Sequence, residues 1–344
     1  MVYRVRSLTI VLAAVLAALT FASFPRAFGQ TPTNPSSSTQ AKSWTPPKTP
    51  HGDPDLQGIW TSTTTTPLER PAQFGNRLFL TEEELAESEK RLARQLAADS
   101  QATSPGAIVT TGPPSHWTER ASRASRQTSL VVVPEDGRVP VTAAAEAKRD
   151  YNLAHDTEDF QYMSPWDRCI TRGMPGGMFP GLYGNVYEIL QAAGVVAIVS
   201  EMIHDTRIIP LDGRPFSNIR SWNGESRGHW ENNTLVVETK NFNGKGWIST
   251  NLAGGRIKGI AQSDAARVIE RFTRTAADMI QYEVTIEDPN VYTQPWKVTF
   301  PFTKEPGDQI FEYACHEGNY AMTHMLSGAR AQEKAAAEAA KDRR

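Results

Sequence analysis

From Gly184 to His316 the chain is a succession of short segments divided by tight turns, with no helical periodicity between them. Segments 186–191 and 195–202 flank Ala192-Ala193-Gly194, and 207–209 runs into Asp212-Gly213. Segments 227–231 and 234–241 flank Asn232-Asn233, 267–274 and 279–287 flank another turn, and 296–303 and 309–316 complete the series. Asn and Gly tolerate the positive φ that two-residue hairpins require. Parallel pairing needs long crossover connections, usually helices, and none intervenes. An antiparallel meander is therefore expected. With about eight strands or more, closure into a barrel removes the exposed edges that would otherwise invite aggregation.

The residues before the meander read as a helical elaboration at 81–160. Residues 56–60 form a short strand. Thr81-Glu82-Glu83-Glu84 is a capping box, with Thr81 accepting from a free helix N–H while Glu84 reaches back. A helix over 82–98 follows, its acidic first turn and later Lys90, Arg91 and Arg94 matching the helix dipole. Residues 99–114 read as loop and 143–153 as a second helix. The expected organisation is one barrel domain at 51–328 with a polar, Ala/Glu/Lys-rich tail at 329–344.

The first 29 residues have the parts of a cleaved signal peptide: Arg4 and Arg6, an apolar stretch at 7–24, and Ala27-Phe28-Gly29 before Gln30. The rival reading is an uncleaved anchor, since the stretch is near the ~18-residue length of a spanning helix. The small-residue site and the Pro/Ser/Thr-rich segment 30–50, read as a disordered tether, favour cleavage. The expected location is secreted or periplasmic, with no stable membrane insertion after cleavage. A net charge of −2 with scattered Lys and Arg argues against nucleic acid as partner.

Only two cysteines are present, Cys169 and Cys315. Outside the cytoplasm such a pair reads as a disulfide. It would close a loop of about 145 residues, which the chain-entropy model values at roughly 4–5 kcal/mol. A Cys315 nucleophile beside His316 is the alternative, weakened because neighbouring residues on a strand face opposite ways.

Gly58-Ile59-Trp60 ahead of an antiparallel meander resembles the Gly-x-Trp opening of lipocalin-type barrels. That resemblance implies a mainly β fold, an antiparallel meander closing into a lipocalin-like barrel, although the helical insertion departs from a simple lipocalin. The segments 167–173 (DRCITRG), 201–215 (EMIHDTRIIPLDGRP) and 313–320 (YACHEGNY) resemble a family of secreted proteins abundant in acidobacteria. This second resemblance implies export and a shared fold, and no mechanism.

The densest polar constellation is Glu201, His204, Asp205 and Arg207, followed by Asp212, Arg214, Arg220 and Arg227. A zinc-protease helix would need two His one turn apart, and a single His stands here. The functional reading is a His204 acid/base oriented by Asp205 or Glu201, with arginines holding an anionic or carbonyl-bearing ligand. The plainer reading is a hairpin tip laced by ion pairs. His155-Asp156-Thr157-Glu158-Asp159 and His51-Gly52-Asp53-Pro54-Asp55 have carboxylates near a His but no cation-loop spacing.

Trp166, Trp222, Trp230, Trp247 and Trp296 are spread over separate segments. Trp230 and Trp296 fit core packing, whereas Trp166 and Trp222, with Arg172, Arg207, Arg220 and Arg227, fit a ligand pocket. Glu270 shares a face with Val268 and Phe272, and Glu312 with Ile310 and Ala314. If those faces line the barrel, the glutamates need partners such as Arg271, Arg274 or Arg227. The Gly/Pro segment 174–181 reads as a flexible or closely packed flap over the barrel mouth.

No Gly-x-Ser-x-Gly elbow, zinc signature or dinucleotide fingerprint is present, so no metal or cofactor is expected. Two functions remain: a secreted small-molecule-binding protein with a pocket of Trp and Arg, or a hydrolase or isomerase built on His204.

Overall fold

The computed structural model describes residues 44–100, 118–250, 252–304, 307 and 309–342. The expected signal peptide, the tether up to residue 43 and nearly all of the 99–114 loop lie outside the described residues. Ten strands are present: β1 (Gly58–Thr61), β2 (Val131–Val133), β3 (Val186–Ala192), β4 (Val195–Ser200), β5 (Thr206–Pro210), β6 (Glu225–Glu231), β7 (Thr234–Lys240), β8 (Arg267–Ala276), β9 (Met279–Glu287) and β10 (Trp296–Thr303). Three helices accompany them: α1 (Glu82–Asp99), α2 (Ala143–Ala154) and α3 (Ala321–Lys341). Among the described residues, no helix is long and apolar enough to cross a membrane.

The sheet order is β5-β4-β3-β1-β10-β9-β8-β7-β6, with β2 added to β10. Every ladder is antiparallel, so the nine strands on this path form a nearly closed meander barrel. One edge of β10 pairs along its length with β9. The other is shared by β1, through Thr61 and Thr303, and by β2, through Val131 and Val133.

The remaining seam, between β5 and β6, closes through side chains. Gly228 of β6 lies against this seam: a Cβ there would sit 2.8 Å from Cγ2 of Ile209 on β5 and 2.7 Å from Cδ2 of Leu211 just beyond it. Only glycine lets the strands approach so closely.

Alternation decides the inward face. Val268, Glu270 and Phe272 of β8 are fully buried, as are Ile280, Tyr282, Val284 and Ile286 of β9. From β10, Trp296, Val298, Phe300 and Phe302 join them. The interior is filled by rings at contact distance: Phe272–Tyr282 4.9 Å, Tyr282–Phe302 5.0 Å and Tyr187–Phe302 5.6 Å between centroids. Such rings each bury about 150–250 Å² and fill a barrel of this size with side chains.

At one end Trp60 is capped by cations, with Arg274 5.4 Å and Lys304 4.5 Å from the ring. Its indole N–H donates to the Leu56 carbonyl at 2.9 Å. Residues 44–50, read from sequence as the end of the tether, instead pack here. Trp44 meets Arg274, Thr49 is buried, and the Thr49 N–H donates to Asp53 O.

The capping box of α1 forms as expected, with Glu84 N–H donating to Thr81 Oγ1 and Thr81 N–H to Glu84 Oε2. Helix α2 starts behind Thr142, whose Oγ1 accepts from Ala145 N–H. Two expectations need correction. Residues 309–316 are not a strand, and Glu312 is exposed rather than inside the barrel. The strand that precedes them, β10, already has both edges occupied. The tail helix also begins at Ala321, earlier than 329, and buries Ala329.

Candidate functional site

The Gly/Pro segment closes the barrel end opposite Trp60 as a docked plug. Gly173, at φ +90°, and Gly176 lie directly on the backbone of 247–249, where any Cβ would collide with the Trp247 and Ile248 carbonyls. Gly176 N–H donates to Ile248 O, Gln262 Nε2 to Met174 O, and Tyr187 O–H to Gly177 O. Phe179 enters the core, 6.4 Å from Trp296 and 6.3 Å from Phe300.

Beneath the plug, Arg207 from β5 donates to Glu270 through both nitrogens, Nη1 to Oε2 at 2.5 Å and Nη2 to Oε1 at 3.1 Å. Tyr282 O–H donates to the same Oε1 at 2.8 Å. The sulfurs of Met174 and Met178 complete the shell around the guanidinium at 3.2 and 3.5 Å. Glu270 is fully buried, so this fork is what makes its charge tolerable in the core.

Burial pulls the Arg207 pKa down, but the charge and hydrogen bond of Glu270, with Tyr282 and Asp205, together outweigh it and hold it above the ordinary value. Burial and then Glu270 push the Tyr282 hydroxyl far above the usual phenol range. The partner anticipated for Glu270 was Arg271, Arg274 or Arg227, and all three are engaged elsewhere. Arg271 pairs with Glu231, Arg274 donates to the Asp55 carbonyl, and Arg227 pairs with Glu225.

Between the plug and the β4–β5 hairpin lies a cavity of about 50 Å³. Its polar groups come from Arg172, Tyr187, Ser200, Asp205, Arg207 and Asn223, and three methionines supply apolar wall. Asp205 Oδ2 accepts from Asn223 Nδ2 at 2.5 Å, and the single Thr171 hydroxyl proton is shared between that oxygen at 3.1 Å and Asn223 Oδ1 at 2.8 Å. Thr171 also accepts from Gly173 N–H at 3.1 Å, tying the carboxylate to the start of the plug.

Arg172 is different. Its guanidinium lies 4.4 Å from the Trp166 ring, and among the described residues it makes no side-chain hydrogen bond or ion pair. Burial lowers its pKa from the ordinary value. Nearby Tyr183 is pushed up to about 12 by burial and by Tyr313.

The disulfide expected from sequence is present, joining Cys169 to Cys315 with Cα atoms 5.8 Å apart. It ties residues 309–320 beside the segment carrying Trp166 and Arg172. Asn319 Nδ2 reinforces the tie by donating to Asp167 O at 3.0 Å.

Of the residues singled out in the sequence, Arg172, Asp205 and Arg207 converge on one cavity, with Trp166 behind Arg172. Glu201 and His204 do not line it. Ile203 and His204 both adopt positive φ, 64° and 52°, where the chain reverses between β4 and β5, and His204 is exposed at that tip. This is the geometry of a hairpin tip, the plainer of the two readings of this stretch. Arg220 pairs with Asp264 on the surface, and Arg227 lies over Phe216. Trp222 carries Arg168 at 5.6 Å. Arg220, Trp222 and Arg227 stand outside the cavity, and from the stretch 211–224 only Asn223 lines it. Thr171, Tyr187, Asn223 and the methionines were not singled out individually; a lone polar residue in a loop carries no periodic signal. Among the described residues, no group of three or more His, Cys, Asp or Glu is placed to hold a metal.

No family model matches the chain, and neither a curated protein nor a solved structure matches it.

Proposed function

We propose that this protein binds a small molecule outside the cytoplasm, receiving its anionic or carbonyl group on Arg172. The observation that carries the reading is the state of that side chain. A guanidinium that is half-buried, stacked on Trp166 and without a protein acceptor among the described residues keeps its donors free for a ligand. A planar carboxylate offers the matching pair of acceptors. Arg207 cannot play this part, since Glu270 already occupies its fork.

The cavity volume limits what enters. About 50 Å³ is room for about four water-sized groups, far below a drug-sized pocket. The site therefore takes a head group, or a molecule of very few heavy atoms. The disulfide supports an oxidising compartment, in keeping with the leader-like pattern at 1–29. Kinship with the secreted acidobacterial family is part of the same proposal, resting on the three segments quoted above.

Native mass spectrometry of the exported protein, followed by calorimetric titration with small carboxylates and inorganic phosphate, tests the reading. Arg172→Gln is expected to weaken binding by at least about tenfold, the equivalent of one charge-assisted hydrogen bond. Equal binding by wild type and variant would remove Arg172 from the site.

A further inference from the structure

We infer that the ligand of the Arg172 cavity is a small zwitterion, an ammonium placed next to a carboxylate as in an α-amino acid. The inference rests on the anion reading above and adds a second pole to it. The groups that reach Asp205, the Asn223 amide and the Thr171 hydroxyl it shares with Asn223 Oδ1, meet the same oxygen, Oδ2. Among the described residues no group donates to Oδ1, and no Lys or Arg lies within ion-pair distance of this carboxylate. Asp205 nevertheless lines the cavity together with Arg172.

Charge balance points the same way. Arg207 and Glu270 neutralise each other in a closed fork. What faces the cavity is then one guanidinium and one carboxylate that each lack an ion-pair partner among the described residues, Arg207 and Asp167 acting on them only at longer range. A bare anion would satisfy the first and leave the second facing a new negative charge, which disfavours binding in a partly desolvated site. An ammonium on the same ligand donates to the free Oδ1 and restores neutrality. The remaining wall, Ile198 with Met174, Met178 and Met202, is apolar and admits a short aliphatic side chain.

A soft metal ion is the other ligand three thioethers invite. The Arg207 guanidinium already sits on the sulfurs of Met174 and Met178, and its positive charge opposes a cation there.

The test compares ligands that differ by one pole. Calorimetric titration of the full exported chain would use L-alanine, propionate and ethylamine. L-Alanine is expected to bind at least about tenfold tighter than propionate, the value of one charge-assisted contact, and ethylamine weakly. Asp205→Asn keeps the acceptor for Thr171 and Asn223 and is expected to erase the preference for alanine over propionate, while Arg172→Gln weakens both acids. Propionate binding as tightly as alanine, with Arg172→Gln still harmful, overturns the zwitterion and leaves the anion site standing. No binding of any acid and no effect of Arg172→Gln overturns both. If Asp205→Asn fails to fold, judged by its melting transition, the wild-type alanine-to-propionate ratio decides alone.

Discussion

Arg207 and Glu270, 63 residues apart in sequence, meet across the barrel interior in a two-point fork of 2.5 and 3.1 Å. The carboxylate is wholly shielded from water, so each charge depends on the other. Removing one partner strands its mate. Glu270→Ala is expected to cost about 3–5 kcal/mol of stability, because it leaves a buried guanidinium uncompensated. The double variant Arg207→Met with Glu270→Leu should recover most of that loss, since an apolar pair of similar volume needs no compensation. Urea denaturation of the singles and the double decides it. A Glu270→Ala loss below about 1 kcal/mol would show that water or rearrangement already satisfies Arg207.

The β5–β6 seam makes a separate prediction. Gly228 has ordinary backbone angles, so its value lies in its missing Cβ, which would sit 2.7–2.8 Å from Leu211 and Ile209. Gly228→Ala should destabilise by about 1–3 kcal/mol through overpacking, and Gly228→Val by more. Thermal denaturation of the two variants reads this directly. A stabilised alanine variant would mean the seam is looser than described, since glycine-to-alanine in an unstrained strand otherwise favours folding.

These two relationships mark how far the sequence carries. The hairpins were legible because Asn232-Asn233 and the two-residue alternation on β8 and β9 are local signals. Alternation also grouped Glu270 with Val268 and Phe272, but the partner is chosen by barrel closure, which brings β5 opposite β8. The segment 309–316 mimics a strand locally, but β10, the strand before it, offers no vacant edge, a property of the sheet and not of the segment. Likewise Asp205 and Arg207 stood out as polar residues in dense company and Arg172 as a pocket cation, while the groups that hold Asp205 are Thr171 and Asn223, 34 and 18 residues away. Adjacency of His204 to Asp205 in sequence left both readings of this stretch open, since it says nothing about two consecutive positive-φ residues lifting the histidine into solvent.

His204 itself yields a clean expectation. At φ 52° and exposed, it occupies a conformation glycine adopts at no steric cost. His204→Gly should leave ligand affinity unchanged and alter stability by less than about 1 kcal/mol, lost αL strain being offset by the freer unfolded chain. A tenfold loss of binding or of any catalytic activity in this variant would restore the histidine to the site.

The cap of α1 predicts an acid-sensitive element. The Arg77 guanidinium, followed by the Thr81 backbone N–H, holds the Glu84 carboxyl at about 2, below its ordinary 4.5. Because the folded value is the lower one, the contribution is fully present above pH 4.5 and is lost as pH falls toward 2. Glu84 lies at the surface and is partly exposed, so the effect is local to the first turn. Carbon-detected NMR titration should show Glu84 titrating below the other helix glutamates, with the first-turn amides shifting in the same window. Thr81→Ala should raise that midpoint. A Glu84 midpoint near 4.5 in the wild type would mean the box is open in solution.

The disulfide bears on the cavity as well as on stability. Cys169 stands three residues before Arg172, and its partner Cys315 belongs to the segment that supplies Tyr313 beside Tyr183. Residues 309–320 have no ladder to hold them, so the covalent tie and the Asn319 contact to Asp167 O are their main attachments. Reduction is expected to cost about 4–5 kcal/mol in the chain-entropy account, less if the native state relaxes. It should also free this segment for proteolysis while the β8–β9–β10 core stays protected, since core strands open only with the whole molecule. Thiol titration under denaturing conditions should find no free cysteine before reduction and two after it. Cleavage within 309–320 should then accelerate alongside weaker ligand binding, as Trp166 and Arg172 lose their covalent anchor at Cys169. Binding unchanged after full reduction would show that the plug alone, through Gly176 and Ile248, positions Arg172.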